Sequence, residues 1–261
     1  MPMSITEIEQ ALKVLRLGGI RATLEARAVQ ATAGELSFMD AFAMLLQDEL
    51  DRRKSRLLER RFIVSGLKER KTLSEFDWSF NPKLPKKAIM ELMSLSFVSH
   101  HEDALIIGAP GTGKSHIGKA IALAAIGSEH RVVYREAHVL FEDILQASNL
   151  GTKKKFMKIL ADADLLIIDD LGLTQLAPQN GEDILDIIMS RYEKKSTLIT
   201  SNRIISDWDK MLCDATLSSA VLDRLMHHCN FLKFEGRSYR LREAGQKLAA
   251  SAAETTQVQT A

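Results

Sequence analysis

Two short stretches carry residue types that could do chemistry together. The first, GAPGTGKS at residues 108–115, fills every position of the pattern G-x-x-x-x-G-K-[ST]. A loop of Gly108, Ala109, Pro110, Gly111, Thr112 and Gly113 lets backbone N–H groups turn inward around a phosphate. The helix expected after it offers its positive N-terminal end to the same anion. Lys114 adds a point charge near β- and γ-phosphates, and Ser115 supplies a hydroxyl for Mg2+. With a strand before and a helix after, a ligand-free glycine turn is the poorer reading.

The second stretch, LLIIDDLG at residues 165–172, ends four apolar residues with two adjacent carboxylates. Alone, such a pair reads as a turn after a strand. Downstream of a full phosphate loop it suits a magnesium nucleotide: Asp169 orients the metal through its water shell, and Asp170 polarises a water for in-line attack. Asn202, just past TLIT, can reach that water or the γ-phosphate if its strand lies beside LLII. Arg224, in SSAVLDRLMHHC, sits on an expected helix, where arginine is usually solvated. Its functional reading needs a neighbouring subunit, onto whose γ-phosphate it would project.

These residues need a scaffold. Five apolar runs, at 104–107, 131–134, 165–168, 197–200 and 231–234, alternate with helical segments. That pattern predicts an α/β domain with a parallel sheet covered on both faces. Residues 5–63 carry helical periodicity without strand-like alternation, with Ser37 as an expected N-cap. Asn81-Pro82 and Pro85 forbid a continuous helix through 71–85. The expected division is a helical N-terminal domain over 1–70, for oligomerisation or DNA contact, a linker over 71–85, a nucleotide domain over 86–245 and a disordered tail over 246–261.

With 261 residues, 46% of them apolar, the chain can bury a full core. Thirty-five basic against 34 acidic residues give a net charge of +1, which selects neither nucleic acid nor membrane. Cys213 and Cys229 match no zinc spacing and are expected to be reduced structural thiols. No run is long and apolar enough to span a bilayer, and the N-terminus lacks a signal-peptide pattern, so a cytoplasmic location is expected. His227, His228 and Cys229 fall on consecutive helical positions that point apart, which argues against a shared metal. Phe76, Trp78 and Phe80 read as linker docking, with packing near an adenine as the alternative.

Together the motifs resemble the AAA+ ATPases, and within them the DnaA/DnaC branch that includes the IstB ATPases of insertion sequences. GAPGTGKSH, which adds His116, is similar to that branch's Walker A motif, LLIIDDLG to Walker B, TLITSNR to sensor 1 and VLDRL to the arginine-finger box. LRLGGIRATLEARA, FDWSFNP and GRSYRL are similar to IstB itself. The resemblance implies an ATP- and Mg2+-dependent oligomer, bacterial and cytoplasmic, that binds duplex DNA and helps an IstA-type transposase engage its target. Asp170 stands where many AAA+ proteins have Glu, one methylene longer, so slow hydrolysis is expected. Arg237 and Arg240 are the late arginines to which no sensor 2 role is assigned.

Two basic clusters could meet DNA. Residues 51–71 hold nine basic and three acidic side chains, among them Arg52, Arg53, Arg56 and Arg60, with a solvated helix face or a subunit contact as the alternative. Lys153, Lys154 and Lys155 lie between two expected helices ahead of Walker B, in an insertion that resembles the branch's DNA-facing helical pair. A DnaC-like helicase loader shares this core and is one alternative function; a small-molecule P-loop kinase is another, though it leaves Asn202 and Arg224 without a joint role.

Overall fold

The computed structural model describes residues 3–34, 37–173 and 176–246. The chain divides into two compact units, residues 1–61 and 62–261. The boundary falls inside a helix, nine residues before the one expected.

The first unit is helical: α1 (Ile5–Val14), α2 (Gly18–Thr32) and most of α3 (Phe38–Ser65). Ser4 and Glu7 close a reciprocal capping box on α1. Ser37 caps α3 as expected, accepting the Asp40 N–H at 3.2 Å. The start of α2 lies so close to α3 that a Cβ on Gly19 would meet Glu49 Cα at 2.5 Å. Buried Glu49 accepts the Gly19 and Ile20 N–H groups there, satisfying donors that a helix N-terminus leaves open.

The second unit begins with the last turn of α3. Gly66, at φ 81°, ends that helix and lets Arg135 approach, and the Arg135 guanidinium donates to the Ser65 carbonyl at 3.0 Å. A 3-10 turn at Leu73–Glu75 follows, then α4 (Lys86–Met93) and α5 (Ser96–Ser99). The remainder alternates strand and helix: β1 (Asp103–Gly108), α6 (Lys114–Gly127), β2 (Val132–Glu136), α7 (Ala137–Asn149), α8 (Lys153–Asp162), β3 (Leu165–Leu171), α9 (Pro178–Arg191), β4 (Ser196–Ser201), α10 (Trp208–Met211), α11 (Ala215–His227) and β5 (Cys229–Phe234). Residues 239–246 are helical; most of the expected tail, 247–261, lies outside the described residues.

All five expected strands are present, parallel, in the order β2-β3-β4-β1-β5. Helix α6 covers one face, with Gly118 set against Thr200, Ile167 and Leu198. Helices α7 to α11 close the other around Leu105, Leu166, Ile168 and Ile199. Burial on both faces explains why the strands read as continuous apolar runs. Each fully buried Leu or Ile contributes about 1.5–3 kcal/mol relative to exposure. In this order β4 lies between β1 and β3, so the C-terminal ends of all three open on one crevice.

Candidate nucleotide site

The phosphate loop connects β1 to α6. Gly111 and Gly113 have φ of 78° and 103°, values a side chain rarely adopts, and each is tightly faced. A Cβ on Gly113 would lie 2.6 Å from the Phe76 ring, and one on Gly111 would lie 2.1 Å from Ser238 Oγ. The loop is thus held between the 76–81 segment and the C-terminal segment. Lys114 is 3% exposed, and its Nζ donates to the Gly108 and Ala109 carbonyls at 2.8 and 3.0 Å. Burial lowers its pKa, while Asp170 and Asp169 act to raise it.

Adjacent side chains on a strand point to opposite faces. At the end of β3 the register with β4 slips by one residue between Ile168 and Leu171, and Asp170 takes a left-handed φ of 56°. The bulge gives the two carboxylates separate surroundings on one rim. Asp169 is buried and accepts hydrogen bonds from the Tyr134 and Thr200 hydroxyls. Thr200 Oγ1 also accepts the Asp170 N–H at 2.9 Å, so one hydroxyl from β4 fixes both acids. Each Asp169 oxygen retains a lone pair for a metal-bound water. Asp170 is pushed above the usual carboxylate range by burial and by Asp169, against the pull of Lys114 and Arg240. A raised pKa makes Asp170 a better proton acceptor than a solvated aspartate.

Asn202 follows β4, and β4 does lie beside β3, which was the condition for its role. Its side-chain carbonyl oxygen is buried and has no hydrogen-bond partner among the described residues. It lines a cavity of about 310 Å³ together with Asp170, His116 and the loop from Pro110 to Ser115. Backbone donors, a buried ammonium, the Ser115 hydroxyl, two carboxylates and this unsatisfied amide form a set that fits a magnesium nucleotide.

Another part of the cavity wall comes from the 71–85 segment, which packs as part of the second unit. Phe76 stands edge-on to Trp78 and to His116, at 4.8 and 5.3 Å between ring centroids. His116 Nε2 bonds the Thr72 carbonyl at 2.8 Å. Phe76 and Phe80 dock as part of the cavity wall. Asn81 joins this wall to the C-terminal segment: its amide donates to the Arg237 carbonyl at 3.0 Å and its carbonyl accepts the Arg237 N–H at 2.9 Å. FDWSFNP and GRSYRL therefore meet. Their contact also brings Arg240 into the cavity, a residue to which the sequence assigned no role. Tyr134 and Thr200 were missed too, although a threonine inside a buried apolar strand is a signal, since its hydroxyl must find a partner.

Other expected residues lie elsewhere. Arg224 is half-buried on α11, donates to the Ala220 carbonyl of its own helix at 2.9 Å and lines no part of the cavity. Lys153, Lys154 and Lys155 form the first turn of α8 rather than a connection between helices. Lys154 and Lys155 are exposed, but Lys153 pairs with buried Asp183 of α9 at 2.7 Å, which corrects its expected availability for DNA. Arg52 is similarly engaged, donating to the Gly18 carbonyl, and Arg53 pairs with Glu49 at 2.7 Å. Arg56 and Arg60 are exposed. His227 and His228 do not diverge: α11 ends at His227, and both rings approach Glu193. Cys229 begins β5 instead, its thiol pushed up to about 12 by burial.

Among the described residues no helix is long and apolar enough to cross a membrane. The IstB-like ATP binding protein family profile matches residues 10–247. The ATP-binding protein of insertion sequence IS21 from Pseudomonas aeruginosa is 33% identical over 237 residues, 91% of this chain and 89% of that protein. Its counterpart in IS5376 of Geobacillus stearothermophilus is 32% identical, over 84% of this chain and 87% of that one. Among solved structures, AMPPCP-bound DnaA from Aquifex aeolicus superposes with a TM-score of 0.55 at 22% identity, covering 70% of this chain and 56% of that one. The DnaC helicase loader gives 0.50 at 22% identity, covering 57% and 87%. These two share the fold. Loop, paired acids, strand order and profile converge: the chain belongs to the IstB-like ATP-binding proteins of insertion sequences, built on the AAA+ P-loop fold.

Proposed function

We propose that the protein is an ATP-switched accessory of DNA transposition, which assembles on duplex DNA and directs an IstA-type transposase to it, with hydrolysis as the reset. In this reading Lys114 and the loop N–H groups hold the ATP phosphates, Asp170 accepts the proton of the attacking water, and Asn202 orients that water. Bound Mg2+ would supply positive charge at the β- and γ-phosphate oxygens, held by Ser115 and, through water, by Asp169. Arg240 neutralises charge from within the same chain. Hydrolysis is slow until a partner completes the site.

The observation that carries the assembly reading is the place of Arg224. It lies on α11, away from its own cavity, so it can serve a nucleotide only in a neighbouring copy. DNA contact falls to the exposed Arg56, Arg60, Lys154 and Lys155, with Arg53 partly engaged and Arg52 and Lys153 committed to internal bonds. Sizing the full chain with a non-hydrolysable ATP analogue and duplex DNA tests the reading. Growth into a large species is expected, with loss of both growth and turnover in Arg224→Ala. A chain that stays monomeric under these conditions would sink the proposal.

A further inference from the structure

Helix α11 stops at His227, and His228 leaves helical geometry at φ −130° and ψ 66°. On an unbroken helix the two side chains would diverge by about 100°. The break instead brings their ring centroids within 4.0 Å. Opposite them, in the turn between α9 and β4, Glu193 takes a left-handed φ of 56°, which a glutamate seldom adopts. Its Oε1 lies 3.7 Å from His227 Nδ1 and 3.8 Å from His228 Nε2. One ligand atom from each residue falls within 4.8 Å of the other two.

We propose that Glu193, His227 and His228 form a binding site for a divalent transition metal of the zinc class, separate from the nucleotide site. Their contacts are too long for hydrogen bonds, and exposed ion pairs of this kind contribute little by themselves. A metal ion gives the convergence a cause. Tetrahedral zinc, with bonds of about 2.0–2.1 Å, sets its ligand atoms roughly 3.3–3.4 Å apart. The two separations from Glu193 need to close by about 0.4 Å, and the two histidine nitrogens, which lie within 4.8 Å of each other, by up to roughly 1.5 Å, which exposed side chains can do by rotation. Two imidazoles and one carboxylate suit zinc, copper or nickel, whereas Mg2+ prefers an all-oxygen shell, so the ion that accompanies ATP does not compete. A water can take the fourth position, and the Tyr192 hydroxyl, now 2.9 Å from His227 Nδ1, must yield that nitrogen to the ion. The ion fastens the end of α11 to the α9–β4 turn, one helical turn from Arg224.

The test is calorimetric titration of Zn2+ into the chelator-treated full chain in excess Mg2+, with Co2+ absorption as a second readout. One site per chain at roughly 10 µM or tighter is expected, with a Co2+ spectrum of nitrogen and oxygen ligands. Glu193→Gln and His228→Ala should each weaken it at least about tenfold, while Cys213→Ser with Cys229→Ser leaves it unchanged. All these positions lie outside the nucleotide cavity, and thermal melts check that each variant is folded. No uptake by the parent chain overturns the site. So does equal uptake by His227→Ala with His228→Ala.

Discussion

Lys114 and Lys153 occupy the first turns of α6 and α8 in the same α/β unit, yet their charges are answered differently. Lys153 meets a fixed carboxylate, Asp183, at 2.7 Å. Lys114 is more buried and bonds only to two backbone carbonyls, with Asp169 and Asp170 acting on it through their charge. A buried ammonium with dipoles for partners stays available to an anion; one paired with an acid is spent on packing. The difference teaches that basic residues near a site cannot be assigned to a ligand until their internal partners are known.

The sharpest way to break this contrast is to remove each charge. Lys114→Ala should lower ATP turnover by roughly a hundredfold or more while leaving the melting temperature unchanged or higher, because an awkwardly buried ammonium is gone. Measured turnover close to the parent's would put Lys114 in the packing class. Next comes Thr200→Val, which leaves the strand intact but removes one bond from each acid, Asp169 keeping only Tyr134. A fall in kcat of about 10- to 100-fold is expected, with ATP affinity nearly unchanged; an effect on KM alone would show that the hydroxyl does not position them.

Lys153→Ala should do the reverse of Lys114→Ala. Leaving Asp183 buried without its cation costs about 2 kcal/mol in a denaturant melt, a value reduced because Lys153 is a third exposed. Turnover should survive. Lys154→Ala with Lys155→Ala should leave stability alone and reduce the slope of log affinity for duplex against log salt by up to about 2; an unchanged slope removes these two residues from the proposed DNA contact.

The smallest effect concerns pH. Burial tends to raise the Asp164 pKa, but Arg131 and Lys195 bond its carboxylate and hold it well below the usual range. Its folded value is therefore lower than its unfolded one. The stability it adds is complete above about pH 4 and is lost as pH falls through the unfolded value toward the folded one. Asp164→Asn should flatten that acid limb by about 1 kcal/mol, and identical acid melts would show that the two cations hold nothing.

Much of the nucleotide site was legible because its geometry is local. Gly111, Gly113, Lys114 and Ser115 need only the loop between one strand and one helix, and fixed spacing records that requirement. The five strands were legible because burial on both faces leaves no polar alternation. Tyr134, Thr200 and Arg240 were not, because their relevance is created by neighbours from distant parts of the chain. The bulge that reorients Asp170 has no spacing signature either. The histidines misled for a related reason: two adjacent positions diverge only if the helix continues through both.

The pairing of Asn81 with Arg237 spans 156 residues, and it has a consequence for biosynthesis. A nascent chain that has emerged through Phe234 possesses every strand and the whole glycine loop, but the far wall of its pocket is still inside the ribosome. Nucleotide capture is thereby deferred until residues 237–240 have joined the fold, and a protease that cuts between Phe234 and Arg237 would open the pocket while leaving every strand intact.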